Sequence, residues 1–214
     1  MSEVQIQTGH AVLSGNLHIP EGGTGLVLFA HGSGSSRHSP RNQFVARTLN
    51  GAGLGTLLFD LLTQEEEAID ISTREHRFDI GLLAERLVQA TKWATQQQQT
   101  RDLPIGYFGS STGGAAALVA AVEVPEGVGA VVSRGGRPDL AGDALPKVQA
   151  PTLLIVGGND DIVIELNEQA RDRMQCEVKL EIVPGATHLF EEPGTLEKVA
   201  KLASDWFVAK LTVK

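Results

Sequence analysis

Apolar positions along this chain change their rhythm after the first twenty residues. Val4 to Thr8 and Val12 to Ile19 carry apolar side chains on roughly alternate positions, Leu13, Leu17 and Ile19 among them. That period of two predicts a half-exposed antiparallel strand pair. Apolar runs then recur at Leu26 to Ala30, Leu57 to Phe59, Ile105 to Phe108, Ala130 to Val132, Leu153 to Val156 and Val178 to Val183. Most are nearly continuous and bounded by glycine or proline, as suits parallel strands covered on both faces. Between them the period lengthens. Ile80, Leu83, Leu87, Ala90 and Ala94 recur in steps of three and four, and so do Leu196, Val199, Ala203 and Trp206. Each set marks one face of a helix. Strands alternating with helices predict right-handed crossovers and an α/β architecture with a mostly parallel, about eight-stranded sheet and helices on both faces. No repeat or linker interrupts residues 1–214, which read as one domain. Gln96 to Gln99 reads as the polar end of a helix, and Glu65-Glu66-Glu67 as a solvated loop.

Composition narrows the picture only slightly. At 42% hydrophobic and 21% charged residues the chain is ordinary globular material. A net charge of −8 argues against a nucleic-acid or anionic membrane surface. The single cysteine, Cys176, cannot close an internal disulfide, so an oxidising compartment is not needed. Met1 to Gln5 lacks the basic segment and apolar run of a signal peptide, and no apolar stretch is long enough to span a bilayer. The expectation is a cytoplasmic protein.

The densest signal is Gly109-Ser110-Ser111-Thr112-Gly113, between the run ending at Phe108 and the small-residue segment Gly114 to Val122. A strand, then G-x-S-x-G, then a helix makes a sharp turn that lifts the central serine above the sheet. Ser110 fails as the centre, because Phe108 and Thr112 would flank it. Serine alone is a poor nucleophile; it needs a base, and the base needs an orienting carboxylate. In open α/β sheets such groups sit beyond the carboxyl ends of the strands. Asn159-Asp160-Asp161 follows one late strand, and Ala186-Thr187-His188 follows the last. Of six histidines, only His188 comes after the acid on the final strand-end loop. His10 and His18 lie on the early strands, His76 precedes a helix, and His31 and His38 lie in the loop after the third strand. Spacing alone leaves both Asp160 and Asp161 able to face His188.

A tetrahedral intermediate also needs backbone N–H donors already aimed at its oxyanion. Thr112, next to the serine, is one. The glycine-rich loop His31-Gly32-Ser33-Gly34-Ser35-Ser36 supplies the other, with Ser33 as the candidate, and His31 organises that loop. Two strand-end loops carry arginines, Arg37 with Arg41 and Arg134 with Arg137. Guanidinium groups grip carboxylates or phosphates, so these four are candidates for binding an anionic part of a substrate. Pairing with Asp139 or Asp143 is the plainer use of Arg134 and Arg137.

With serine, acid, histidine and the His31-Gly32 loop in this order, the chain resembles the α/β-hydrolase superfamily. Within it, the chain is similar to the small cap-free proteins of dienelactone hydrolase-like and carboxylesterase-like type. The resemblance runs from the first hairpin to the last helix. In such proteins the acid commonly occupies a G-x-x-D-x-x-V stretch, matched here by Gly157, Asp160 and Val163. The likeness implies Ser111 as nucleophile, Asp160 as acid, His188 as base, and Ser33 and Thr112 as oxyanion donors. It implies hydrolysis of carboxylic esters through an acyl-enzyme, and the lack of room for a lid between the sixth and seventh strands points to small, soluble substrates. Dienelactone hydrolases proper carry cysteine as nucleophile; here the position is Ser111, so the likeness is read as one of fold. Only Ser133 to Ala150 separates the sixth and seventh strands, too little for a lid domain. A thioesterase or acyltransferase with the same triad, and a non-catalytic binding protein of this fold, are the alternatives. Gly32-Ser33-Gly34 is not a dinucleotide fingerprint, because Arg37 stands where the third glycine belongs. No Gly-Lys pair exists for a phosphate-cradling loop, and no ligand cluster suggests a metal. No cofactor is expected.

Overall fold

A computed structural model describes residues 2–211. The sheet has eight strands, β1 (Ser2–Gln7), β2 (Val12–His18), β3 (Gly25–Ala30), β4 (Leu54–Phe59), β5 (Ile105–Ser110), β6 (Ala130–Arg134), β7 (Thr152–Gly157) and β8 (Val178–Val183), in the order β1-β2-β4-β3-β5-β6-β7-β8. β1 and β2 pair antiparallel, and β2 pairs antiparallel with β4. Every later neighbour is parallel. The alternating start and continuous middle of the sequence foretold this division. β2 buries only every second residue, whereas β3 to β7 are buried throughout.

Among the described residues, six helices cover the sheet: α1 (Pro40–Gly51), α2 (Gln64–Thr73), α3 (Ile80–Ala94), α4 (Thr112–Glu123), α5 (Asp161–Arg173) and α6 (Thr195–Lys210). Two apolar clusters lie on opposite faces. One gathers α3 and α4, with Leu83, Leu87, Ala116 and Leu118 against Leu28 and Tyr107. The other gathers α1 and α6, with Val45, Leu49, Val199 and Phe207 against Phe29 and Phe108. Short 3-10 turns at Pro138–Lys147 fill the space between β6 and β7, and no lid domain stands there.

Two sequence readings need correction. Glu65-Glu66-Glu67 is the first turn of α2, not a loop. Thr63 accepts the Glu66 N–H, and the Glu66 carboxylate accepts the Thr63 N–H, a reciprocal cap. Acidic side chains there also face the positive end of the helix dipole. The glutamine run lies beyond the end of α3, in the turns that follow Ala94.

Candidate active site

Strand β5 ends at Ser110 and α4 begins at Thr112, so the whole turn falls on Ser111. Its backbone sits at φ 52° and ψ −120°, a region that costs a non-glycine residue of order 1–3 kcal/mol. The surroundings hold it there. Its N–H donates to the Arg134 carbonyl (3.2 Å), and its carbonyl accepts from Gly114 (3.0 Å) and Arg137 (3.1 Å). The elbow glycines are required by contact. A Cβ on Gly113 would lie 2.1 Å from the Ala30 carbonyl oxygen, and one on Gly109 would lie 2.4 Å from that of Gly113.

Beyond β7 and β8 the other two groups meet. His188 Nδ1 lies 2.7 Å from Asp160 Oδ2. The carboxylate accepts, so Nδ1–H is the donor, and in the neutral imidazole this leaves the lone pair on Nε2. Asp160 precedes α5, while Asp161 is that helix's first residue. The approach depends on Gly157, where a Cβ would lie 2.5 Å from the Ala186 carbonyl oxygen and 2.6 Å from that of Thr187. The His188 loop is further pinned by Glu192, whose carboxylate accepts the Thr187 N–H (3.0 Å) and hydroxyl (2.6 Å). The Thr187 hydroxyl first, then its N–H, holds the Glu192 carboxyl below the usual range. No spacing rule in the sequence singles out Glu192.

Ser111 and His188 line one cavity of about 230 Å³. No hydrogen bond joins them among the described residues. Ser33 lines the same cavity. Its hydroxyl donates to the Arg77 carbonyl (3.1 Å) and lies 2.9 Å from the Thr112 hydroxyl, which ties the loop to the elbow. The Ser33 N–H has no acceptor among the described residues, and Thr112 opens a helix, where N–H groups lack intrahelical partners. His31 braces the loop from below. Leu61 N–H donates to its Nε2 (3.0 Å), and its Nδ1 reaches the Gly32 carbonyl (3.0 Å). Arg77 is itself held by Asp70, through Nε to Oδ2 at 2.6 Å. Burial alone would raise the Asp70 pKa; the N–H groups of Arg77 and His76 and the Arg77 guanidinium outweigh it and lower it.

The four arginines separate. Arg37 is bonded to Asp60 and lies 3.4 Å from Glu3, and Arg137 grips Asp139 through two bonds of 2.8 and 2.7 Å. Neither lines the cavity beside Ser111. Arg41 and Arg134 do. Asn42, which sequence reasoning passed over, also lines it and accepts a hydrogen bond from Ser110 (3.0 Å). A second cavity of about 460 Å³ shares Gly32, Ser33 and Ser35 with the first and is also lined by Glu67, Asp70 and Ile71 of α2. Among the described residues, no group of three or more His, Cys, Asp or Glu side chains is placed to hold a metal ion.

Sheet order, the serine elbow and the acid–histidine pair past the late strands define an α/β hydrolase. The chain belongs to the dienelactone hydrolase family, which it matches over residues 26–210. A dienelactone hydrolase of Anabaena variabilis is 64% identical, with a TM-score of 0.97 over 98% of this chain and 97% of that one. Est1E of Butyrivibrio proteoclasticus shares the fold at 17% identity, with a TM-score of 0.81 over 98% of this chain and 99% of that one. A Mycobacterium tuberculosis protein provisionally named a phosphoribosyl transferase is 60% identical over 209 residues, 98% of this chain but 46% of its own length. The chain thus spans less than half of that curated relative.

Proposed function

We propose that this hydrolase is a serine esterase that cleaves small soluble carboxylic esters. The 2.7 Å contact between His188 and Asp160, on a cavity shared with the strained Ser111, carries the reading. His188 Nε2 takes the Ser111 proton as Oγ attacks the ester carbonyl. The oxyanion is met by the Ser33 and Thr112 N–H groups. His188 then returns the proton to the leaving alcohol. Water, activated by the same imidazole, releases the acid from Ser111. Asp160 keeps the imidazole in its working tautomer and stabilises the imidazolium. The second cavity mixes Leu61, Leu62 and Leu83 with carboxylates, shares Gly32, Ser33 and Ser35 with the first, and suits one half of the ester.

The named transferase activity is not carried over, because more than half of that relative lies outside the match. No helix among the described residues is long and apolar enough to cross a membrane. With a lone cysteine and a net charge of −8, the reading extends to a cytoplasmic enzyme that works on small molecules, without a membrane or nucleic-acid partner.

Incubation with a fluorophosphonate probe, followed by peptide mapping, tests this. Label is expected on Ser111, and Ser111→Ala is expected to remove both the label and the hydrolysis of 4-nitrophenyl acetate. A folded protein that neither labels nor turns over that ester would be a binding protein.

A further inference from the structure

Arg134 closes β6 and is 7% exposed, yet no carboxylate stands within ion-pair distance of it among the described residues. Its guanidinium makes no hydrogen bond there either, and its buried Nε has no partner. The contact it does make is with the Phe190 ring, whose centre lies 5.9 Å from the guanidinium carbon. Other shielded arginines are answered: Arg86 by Glu66 at 2.6 Å, Arg77 by Asp70 at 2.6 Å, and Arg37 by Asp60. Burial, followed by repulsion from Arg41, lowers the Arg134 pKa to about 10, so the group is still a cation at neutral pH. A buried charge with no opposite charge beside it is unfavourable, and an anion brought to it would relieve that penalty.

The cavity shows what kind of anion. Arg41 enters from the first turn of α1, and Arg134 enters from β6. The serines at 35 and 39 add hydroxyls, and the α1 N-terminus adds the positive end of its dipole. Among the described residues, the one carboxylate within ion-pair distance of either guanidinium is Glu191, 3.2 Å from Arg41 and largely exposed, which makes it a weak partner. A planar, singly charged carboxylate would satisfy one guanidinium. A phosphate monoester carries about two negative charges and spreads its oxygens tetrahedrally, so donors from two elements can each reach one. We infer that Arg134 and Arg41 form a subsite for a phosphate group borne by the substrate, so that the enzyme cleaves carboxylic esters of phosphorylated small molecules. The inference rests on Ser111 as nucleophile. The acyl C–O bond breaks, water supplies hydroxyl to the acid and a proton to the alcohol, and the phosphate leaves intact on its own fragment.

Calorimetric titration of the protein with inorganic phosphate at low ionic strength tests the subsite. One phosphate per chain is expected to bind, and Arg134→Gln is expected to weaken it by roughly tenfold or more. Arg41→Gln should weaken it less, and acetate should bind at least roughly tenfold more weakly than phosphate, having half the charge. If Arg134→Gln does not fold, as read by its thermal melt, Arg134→Lys keeps the charge but not the paired fork, and several-fold weakening is expected. No saturable binding to the wild type, equal binding by the Arg134 variants, or acetate binding as tightly as phosphate would each overturn the subsite. Fluorophosphonate labelling, read separately, keeps the two readings apart. Labelling without phosphate binding removes the subsite alone. Phosphate binding without labelling removes the esterase and, with it, the assignment of that phosphate to an ester substrate.

Discussion

Asp160 and Asp161 are chemically identical neighbours, and only position divides their work. Asp160 reaches His188, whereas Asp161 begins α5 and faces its positive end. Asp160→Asn is therefore expected to lower kcat for ester hydrolysis by roughly a hundredfold to ten-thousandfold, as loss of the correct histidine tautomer does. Asp161→Asn should leave kcat within a small factor, and equal losses in the two variants would refute the assignment. His31 offers a second test, by pH. Burial lowers its pKa, against the upward pull of the Gly32 carbonyl and the Asp60 and Glu67 carboxylates. A histidine with a folded pKa below its unfolded value binds fewer protons when folded. Its contribution is complete above the unfolded value and is lost as pH falls toward the folded one, by up to about 1.4 kcal/mol per pH unit. Urea unfolding at pH 7.5 and 5.5 should show that loss in the wild type and a smaller one in His31→Asn. Identical pH slopes would mean that His31 does not titrate in the folded protein.

Elements place these residues through close approach. The strand-end segment after β7 and the loop after β8 touch where Gly157 has no side chain. Gly157→Ala puts a methyl into backbone oxygens that cannot yield without moving the chain toward His188. A stability loss of about 1–3 kcal/mol is expected, typical of overpacking, together with a fall in kcat larger than any change in KM. Normal turnover in a folded Gly157→Ala protein would show that the loop has room to spare. Helix α2 works differently, since among its residues only Asp70 is buried. Its caps start it, and the Asp70–Arg77 pair turns its far end back toward the oxyanion loop. The signal for its start, Thr63 three residues before Glu66, was present in the sequence. The Asp70–Arg77 pair was not foreseeable, because no periodicity marks a contact across a helix end.

At the scale of the molecule, one sheet separates two apolar layers, and the candidate site lies past its strand ends. Phe207 of α6 is fully buried, and its ring occupies the space left by Gly106 on β5, where a Cβ would lie 2.7 Å away. Phe207→Ala should lower stability by about 3–5 kcal/mol, read as a shift of the urea midpoint. It removes the ring that locks α6 to the middle of the sheet. A loss below about 1 kcal/mol would mean that the layer collapses to fill the hole. Phe190 lies in the same layer and lies beneath the Arg134 guanidinium, so this core also braces the cavity wall.

The order of apolar periods was enough to determine an antiparallel start, a parallel body and a mostly parallel eight-stranded sheet, because burial on one face or two writes itself directly into spacing. The elbow serine and the acid-then-histidine order were equally legible, since the carboxyl ends of the parallel strands all open on one rim. Which aspartate meets the imidazole, and which of the four loop arginines remains without a carboxylate, were settled only in three dimensions. Ion pairing depends on a few ångströms between residues such as Arg37 and Asp60 or Arg137 and Asp139. Arg134 and Arg137 share a loop in the sequence; a strand end and a turn send one into the cavity and the other onto its neighbour. Spacing along a chain records which face a residue occupies, not which charge it finds there.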